Sequence, residues 1–274
     1  MFAHSSLLFV PGSRPDRFAK ACAAGAGLTV IDLEDAVAPA DKEAARSASL
    51  ECIAAGPDGW GIRINAIATA AGVSDLAALA QAPVLPQYLL VPMVECARDV
   101  EIVGAVLDGR CPALVPLIET PCGLRHALEI ARAPFVAAVM FGGGDFAGEL
   151  GVALAWQPLL AARHQIVLAC AEAHVPAIDV PYIGLDDDDG LMTEARQARE
   201  LGFAAKAAIH PRQIAVIDQA FRPGEADIAE AEAALAAFAD AGGQAIRFRG
   251  RMLEAPIVKR YRAVIARSRG QQDA

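Results

Sequence analysis

The chain has 274 residues, the length of one large domain or two small ones. Hydrophobic residues make up 55% of it and charged residues 21%, which excludes a mostly disordered polymer. Lys and Arg total 24 against 33 Asp and Glu; a net charge of −9 argues against a protein built to grip nucleic acid or an anionic membrane surface.

In chain order, eight short apolar runs alternate with Ala-rich stretches of helical character. The runs are LLFV (7–10), LTVIDLE (28–34), WGIRIN (60–65), YLLVPMV (88–94), ALVPLIE (113–119), VAAVMFGGG (136–144), AIDVPY (177–182) and AAIH (207–210). Most are continuously apolar, as parallel strands covered on both faces are. Between them, Asp41 precedes a helix over Lys42–Ala54, Ser74 precedes one over Asp75–Ala82, and Pro121 opens another. The run Asp186–Asp189 reads as the cap and first turn of a helix reaching Arg199. A calcium loop there is excluded because the EF-hand spacing and its closing Glu are missing.

Eight such alternations in about 220 residues predict an α/β fold of the (β/α)8 TIM-barrel type. The rival, a doubly wound open sheet, is weakened by the lack of a G-x-G-x-x-G turn after the first strand. Residues 1–222 form the expected catalytic barrel. Residues 223–274 form a C-terminal helical extension, expected to pack over the barrel or on a neighbouring subunit. Within it, Glu225–Ala241 is a helix, 242–244 a break, and 268–274 a frayed end. No run approaches the roughly 20 apolar residues of a membrane span, and the start lacks a basic segment before its short apolar stretch, so neither membrane nor export is expected. Six scattered cysteines without a C-x-x-C pattern read as buried, reduced thiols of a cytoplasmic protein.

Functional groups of such a barrel gather at the carboxyl ends of its strands, where this sequence concentrates charge: Arg14 after the first run, Asp32, Glu34 and Asp35 at the end of the second, Arg63 in the third, Glu119 ending the fifth, Asp145 after the sixth and Asp179 in the seventh. Charge at the ends of apolar strands is costly unless paired or metal-bound, so its accumulation points to a site. Glu119 and Asp145, on consecutive strands, suit one hard cation; two carboxylates completed by waters or substrate oxygens is the habit of Mg²⁺. Taken singly, Glu119 and Asp145 read equally well as helix caps. Gly142–Gly144 marks a tight turn or a close approach to a ligand. Arg63 is either an internal salt bridge to Glu34 or Asp35, or a clamp on a substrate carboxylate or enolate oxygen; both roles are compatible, with Glu34 and Asp35 then bonding metal waters. His210, in Ile-His-Pro, reads as a structural turn with catalysis the lesser alternative.

Together these stretches resemble citrate lyase β-subunit-like proteins of the aldolase/citrate lyase superfamily, relatives of citramalyl-CoA and malyl-CoA lyases. The matching segments are LLFVPGSRPDRFAKA (7–21), VIDLEDAVAPADKEAAR (30–46), IRIN (62–65), PLIETPCGL (116–124), FGGGDFAGELG (141–151), LGFAAKAAIHPRQI (201–214) and FRGRMLEAPIVKRY (248–261). The resemblance implies a Mg²⁺-dependent carbon–carbon lyase, a homotrimer or multiple of one, acting on a small 2-oxo or 2-hydroxy acid and a CoA thioester. It implies Glu119 and Asp145 as metal ligands, Arg63 as the substrate-binding arginine, Glu34 and Asp35 as the supporting acidic pair, and Arg14 near the substrate or thioester. Two positions depart from it. Met93 stands where relatives carry Lys, and Glu254 stands where the G-x-M-x-D-x-P motif carries the Asp donated to a neighbour's site; Glu254 is the candidate base. Thioester hydrolysis, a malate-synthase-like reaction, or a subunit scaffold that needs partners are the alternatives on the same fold.

Overall fold

The computed structural model describes residues 2–56 and 58–270. Eight strands, β1 (Ser6–Pro11), β2 (Leu28–Asp32), β3 (Trp60–Arg63), β4 (Tyr88–Val91), β5 (Ala113–Ile118), β6 (Val139–Phe141), β7 (Ala177–Asp179) and β8 (Ala205–Ala208), pair in parallel and in sequence order, and β8 returns to β1 to close a barrel. All eight apolar runs therefore become strands, and the TIM-barrel reading holds.

Side-chain parity sets what the barrel encloses. Leu28 and Val30, Tyr88 and Leu90, and Val115 and Leu117 pack inside it, with Met140, Ile178 and Ala207 from the later strands. Each pair is two residues apart, the period of a strand. Carried one step further toward the carboxyl ends, the same parity turns Asp32, Glu119, Gly142, Val180 and Ile209 inward. Gly61 faces Leu90 and Val30, so Arg63 also points inward. The apolar floor, each fully buried Leu or Val contributing about 1.5–3 kcal/mol, thus carries a charged rim on the same face.

The helices largely start where the sequence places them. Lys42–Ala55 follows Asp41, and Asp187 Oδ1 accepts the Gly190 N–H at 2.9 Å to cap Asp188–Leu201. One start differs: the helix expected from Asp75 begins at Ala70, because Thr69 Oγ1 accepts the Gly72 N–H at 3.0 Å. Gly72 fits against the Ala66 carbonyl, where no Cβ has room. An Ala-Ala-Gly first turn hides this start from pattern reading.

The chain divides into two compact units, Met1–Asp218 and Gln219–Ala274. The second unit holds helices Glu225–Asp240 and Ala255–Gly270 and, between them, an antiparallel hairpin of β9 (Ile246–Phe248) and β10 (Arg251–Leu253). The extension is thus largely helical, as expected, and the hairpin is an addition that the sequence reading did not place. The hairpin's two-residue turn sets Arg249 at φ 45° and Gly250 at φ 81°, the left-handed pair that matches strand twist. Ser268–Gly270 end the last helix, and the remainder of the stretch expected to fray, 271–274, lies outside the described residues. All six cysteines are free thiols, but only Cys170 is buried and Cys22 is exposed, which corrects the expectation that all are interior. Among the described residues no helix is long and apolar enough to cross a membrane.

Candidate active site

At the carboxyl end of the barrel lies a cavity of about 410 Å³. Asp32, Asp35, Arg63, Glu119 and Asp145 line it on its charged side, and Phe9, Leu117, Met140, Leu154 and Ile183 are among the apolar residues of its wall.

Arg63 is the centre of the charged side. Its Nε and Nη2 donate to the two oxygens of Asp32, each at 2.7 Å, and its Nη1 lies 3.0 Å from Glu34 and 3.4 Å from Asp35. Its guanidinium stacks over Phe9 at 5.1 Å from the ring centre. Burial alone would drive Arg63 toward its neutral form. The Asp32 hydrogen bonds and the surrounding carboxylates more than reverse this, so Arg63 is a fixed cation. Asp32, the bidentate partner, is the residue that sequence reasoning passed over in favour of Glu34 and Asp35. Its signal was the register: Asp32 and Arg63 are direct neighbours at the ends of β2 and β3.

Glu119 follows β5 and is buried. The helix that begins at Pro121 is capped by Thr120, whose Oγ1 accepts the Gly123 N–H at 3.0 Å. That releases Glu119 from capping and sends it into the cavity. Its Oε2 accepts the backbone N–H of Met93 at 2.7 Å, and Met93 holds that N–H in place from the left-handed region, at φ 54°. Burial raises Glu119 to about 7. Met93 and Arg63 pull it down, and the charges of Asp145 and Asp35 push it up further. Glu34 is likewise raised by burial, to about 8, and its buried Oε2 has no aligned hydrogen-bond donor although Arg63 is close.

Asp145 sits in the first turn of helix Gly143–Leu150 and is exposed toward the cavity. It is not the helix N-cap; Gly142 is. A Cβ on Gly142 would collide with Cγ and Oε1 of Glu119, so this glycine exists to let a carboxylate lie against the backbone. Two carboxylates, one of them raised by burial, lean toward one cavity with an orphaned acid nearby. Hard oxygen donors in that state fit a hard divalent cation with room for water or substrate oxygens. Among the described residues no cluster of three His, Cys, Asp or Glu forms a complete protein cage, so any ion here takes its remaining ligands from solution. Replacing Gly142 by Ala is expected to lower Mg²⁺ affinity about 10–100-fold, as misplacing a ligand does, while Gly148→Ala, with open space around it, leaves affinity unchanged; calorimetric Mg²⁺ titration of both variants checks this.

Other predicted positions are not part of this cavity. Arg14, in the loop after β1, is exposed and forms a two-pronged pair with Asp16 at 2.8 and 2.7 Å. Asp179 has the opposite parity to Ile178 and lies outside the barrel, bonded to Arg163 and Lys206, which corrects its grouping with the strand-end charges. His210 Nδ1 accepts the Arg212 N–H at 3.2 Å, the structural turn expected of Ile-His-Pro. Glu254 belongs to the second unit, is exposed, and accepts the Val258 N–H through its backbone carbonyl.

A closed parallel barrel that brings Glu119, Asp145 and the guanidinium of Arg63 to one cavity at its carboxyl end has the layout of a (β/α)8 enzyme. The chain belongs to the HpcH/HpaI aldolase/citrate lyase family, whose model matches residues 5–211. It is 34% identical to an L-malyl-CoA/beta-methylmalyl-CoA lyase of Cereibacter sphaeroides, over 94% of this chain and 92% of the relative. It is 32% identical to the mitochondrial citramalyl-CoA lyase of Homo sapiens, over 93% of this chain and 82% of the relative. Among solved structures, the protein CitE from Mycobacterium tuberculosis, in complex with magnesium, acetoacetate and coenzyme A, superposes with a TM-score of 0.86 at 34% identity, over 97% of this chain and 98% of the other.

Proposed function

We propose that this protein is a Mg²⁺-dependent lyase that cleaves a short 3-hydroxyacyl-CoA thioester, of the citramalyl-, malyl- or citryl-CoA type, into a 2-oxo acid and a smaller thioester. The observation that carries this reading is the sharing of one cavity by Glu119, Asp145 and Arg63. Glu119 and Asp145 would hold Mg²⁺, which when bound supplies Lewis-acid polarisation of the acid's oxygens.

Arg63, whose Nε–Nη2 edge is held by Asp32, keeps a fixed positive charge beside the oxygen on which negative charge grows and has only its remaining Nη N–H groups to offer it. Because its partners hold it in place beforehand, little reorganisation is needed as that charge develops. The apolar wall excludes water and strengthens the interaction. Cleavage needs a base for the hydroxyl proton. Glu254, donated from a neighbouring subunit of a trimer-type assembly, is assigned that role: it takes the proton, the carbon–carbon bond breaks toward the thioester to give its enolate, and the same carboxyl returns the proton to carbon. Asp35 and Glu34 keep Arg63 charged and stand ready to bond water at the metal.

The test is a panel of the three CoA thioesters, with and without Mg²⁺, read by hydrazine trapping of 2-oxo acid and by free-thiol release. Mg²⁺-dependent 2-oxo acid without matching thiol is the expected result. Free CoA thiol without 2-oxo acid would make the protein a thioesterase, and no turnover in either assay would leave the subunit scaffold.

A further inference from the structure

The wall of the barrel cavity divides by strand order. Among the described residues that line it, every charged one comes from the arc β2 to β6: Asp32 and Asp35 at the end of β2, Arg63 in β3, and Glu119 and Asp145 after β5 and β6. The arc that closes the barrel, β7 to β8 to β1, lines it with apolar groups: Val180, Pro181 and Ile183 after β7, Ile209 after β8, and Phe9 and Pro11 of β1. Ile183 and Ile209 are exposed. An apolar group that covers them gains by leaving water.

One buried side chain joins the two loops of this apolar arc. Gln213, in the first turn of helix Arg212–Phe221, is 2% exposed. Its Oε1 accepts the backbone N–H groups of Ile209 at 2.9 Å and His210 at 3.2 Å. Its Nε2 donates to the Tyr182 carbonyl at 2.8 Å. The partners fix the sense of the amide: reversed, its NH2 would face two N–H groups and its oxygen a carbonyl. The loop after β7 is thereby held at three points. Lys206 holds the Val180 carbonyl, Gln213 holds the Tyr182 carbonyl, and Asp187 accepts the Tyr182 hydroxyl at 2.5 Å. Pro181 and Ile183 flank Tyr182 in the chain, so their place in the wall depends on the anchor between them.

We propose that Gln213 is a positioning residue that sets which 2-oxo acid the cavity selects, by holding Ile183 and Ile209 together as one apolar subsite for the alkyl substituent of that acid. The reasoning is one of direction. An acid whose oxygens turn to Glu119, Asp145 and Arg63 on the charged arc turns its carbon substituent toward the apolar arc across the barrel. A methyl or larger alkyl group is received there, and a hydrogen leaves the subsite unfilled. A further carboxylate on that side meets no cation, and burying it unpaired is costly. The assignment of a 2-oxo acid rests on the lyase reading above; the clamp on the two loops does not.

The experiment uses the full chain and its variant Gln213→Met, which keeps the length of the side chain and removes all three hydrogen bonds. Calorimetry measures binding of pyruvate and of glyoxylate in the presence of Mg²⁺, and of Mg²⁺ alone. Hydrogen–deuterium exchange follows the backbone amides of 180–184 without any ligand. The expected result is an affinity ratio of pyruvate to glyoxylate that falls about 10-fold in the variant, the lower end of what one methyl-sized group is worth in an apolar pocket. Mg²⁺ affinity stays within twofold, and the loop amides exchange faster. A ratio that stays within twofold overturns the proposal: equal weakening of both acids makes Gln213 a structural residue without a part in selection, and no weakening of either makes it idle. Unchanged exchange overturns the clamp itself. Should Gln213→Met fail to fold, Gln213→Glu in alkaline buffer, which keeps the acceptor and loses the donor to Tyr182, is read in the same way. The outcome is separable from that of the lyase reading. Lost selectivity between the two acids without cleavage of any thioester keeps this role and loses the reaction, whereas cleavage with an unchanged ratio keeps the reaction and loses this role. A wild-type chain that binds neither acid with Mg²⁺ overturns the acid assignment.

Discussion

Glu119→Gln and Asp145→Asn are each expected to lower kcat/KM by about 10²–10³-fold or more, with little loss of stability in either and a gain in the first. The two effects have opposite signs for a physical reason. Glu119 is buried beside an apolar wall, and burial lifts it to about 7 from an ordinary 4.5. Keeping that carboxylate ionised without a bound cation therefore costs on the order of 3 kcal/mol. An amide of the same shape removes the cost and can still accept the Met93 N–H, so thermal unfolding of Glu119→Gln, measured without Mg²⁺, rises or stays level. What disappears is the charge proposed to hold the cation. Asp145 accepts no hydrogen bond from the described residues and is exposed, so its neutralisation touches function alone. Mg²⁺-dependent turnover is the measurement for both. Full activity in either variant would remove these carboxylates from the mechanism, and a large fall in melting temperature for Glu119→Gln would recast that residue as a structural one.

The part of this site visible in the sequence is the part that depends on strand periodicity. Val115, Leu117 and Glu119 share a parity, as do Val30 and Asp32, so an apolar run that ends on a charge two residues beyond an interior position already points that charge into the barrel. The same reasoning failed for Asp179, because β7 is only three residues long and its neighbours are apolar on both faces. Nothing in AIDVPY says which side of the sheet the acid occupies, and one step of register reverses it. The pairing of Asp32 with Arg63 was missed for another reason. The importance of Asp32 comes from pairing across strands, and only the observed register sets it against Arg63. The role of Met93 lies in its backbone, whose left-handed conformation at a non-glycine residue has no sequence signal. The hairpin of the second unit was not placed because its turn is Arg-Gly, a weaker announcement than Asn-Gly.

The outward-facing Asp179 sets up the second large effect. It is fully buried between the sheet and the helices Trp156–Ala173 and Asp188–Leu201, accepting from Arg163 Nε at 2.8 Å and Lys206 Nζ at 2.6 Å. Lys206 also donates to Glu194 at 2.7 Å and to the Val180 carbonyl at 2.7 Å, and Arg163 stacks over Trp156 at 4.5 Å. Two buried cations thus face two carboxylates, and one of those carboxylates, Glu194, is partly exposed. Asp179→Asn leaves the cations in excess, and breaking a buried pair in this way costs about 3–5 kcal/mol. Burial by itself would raise Asp179, but the attraction of Lys206 and Arg163 outweighs it and holds the carboxyl below its usual range. A carboxylate depressed by folding stabilises the folded state above its unfolded pKa near 4, and that contribution is lost as the pH falls through its folded value. The difference in unfolding free energy between the wild-type chain and Asp179→Asn, from urea titrations, is therefore full at pH 5 and above and shrinks as the solution is acidified. A difference that does not change with pH would mean that packing, not charge, accounts for the loss. Lys206 also ties the network to function, because Val180, whose carbonyl it holds, is part of the cavity wall beside Pro181. A variant that loosens this anchor is expected to raise KM as well as lower stability. That coupling gives the buried charges a place in a fold where apolar side chains of similar size would hold the sheet and helices together equally well.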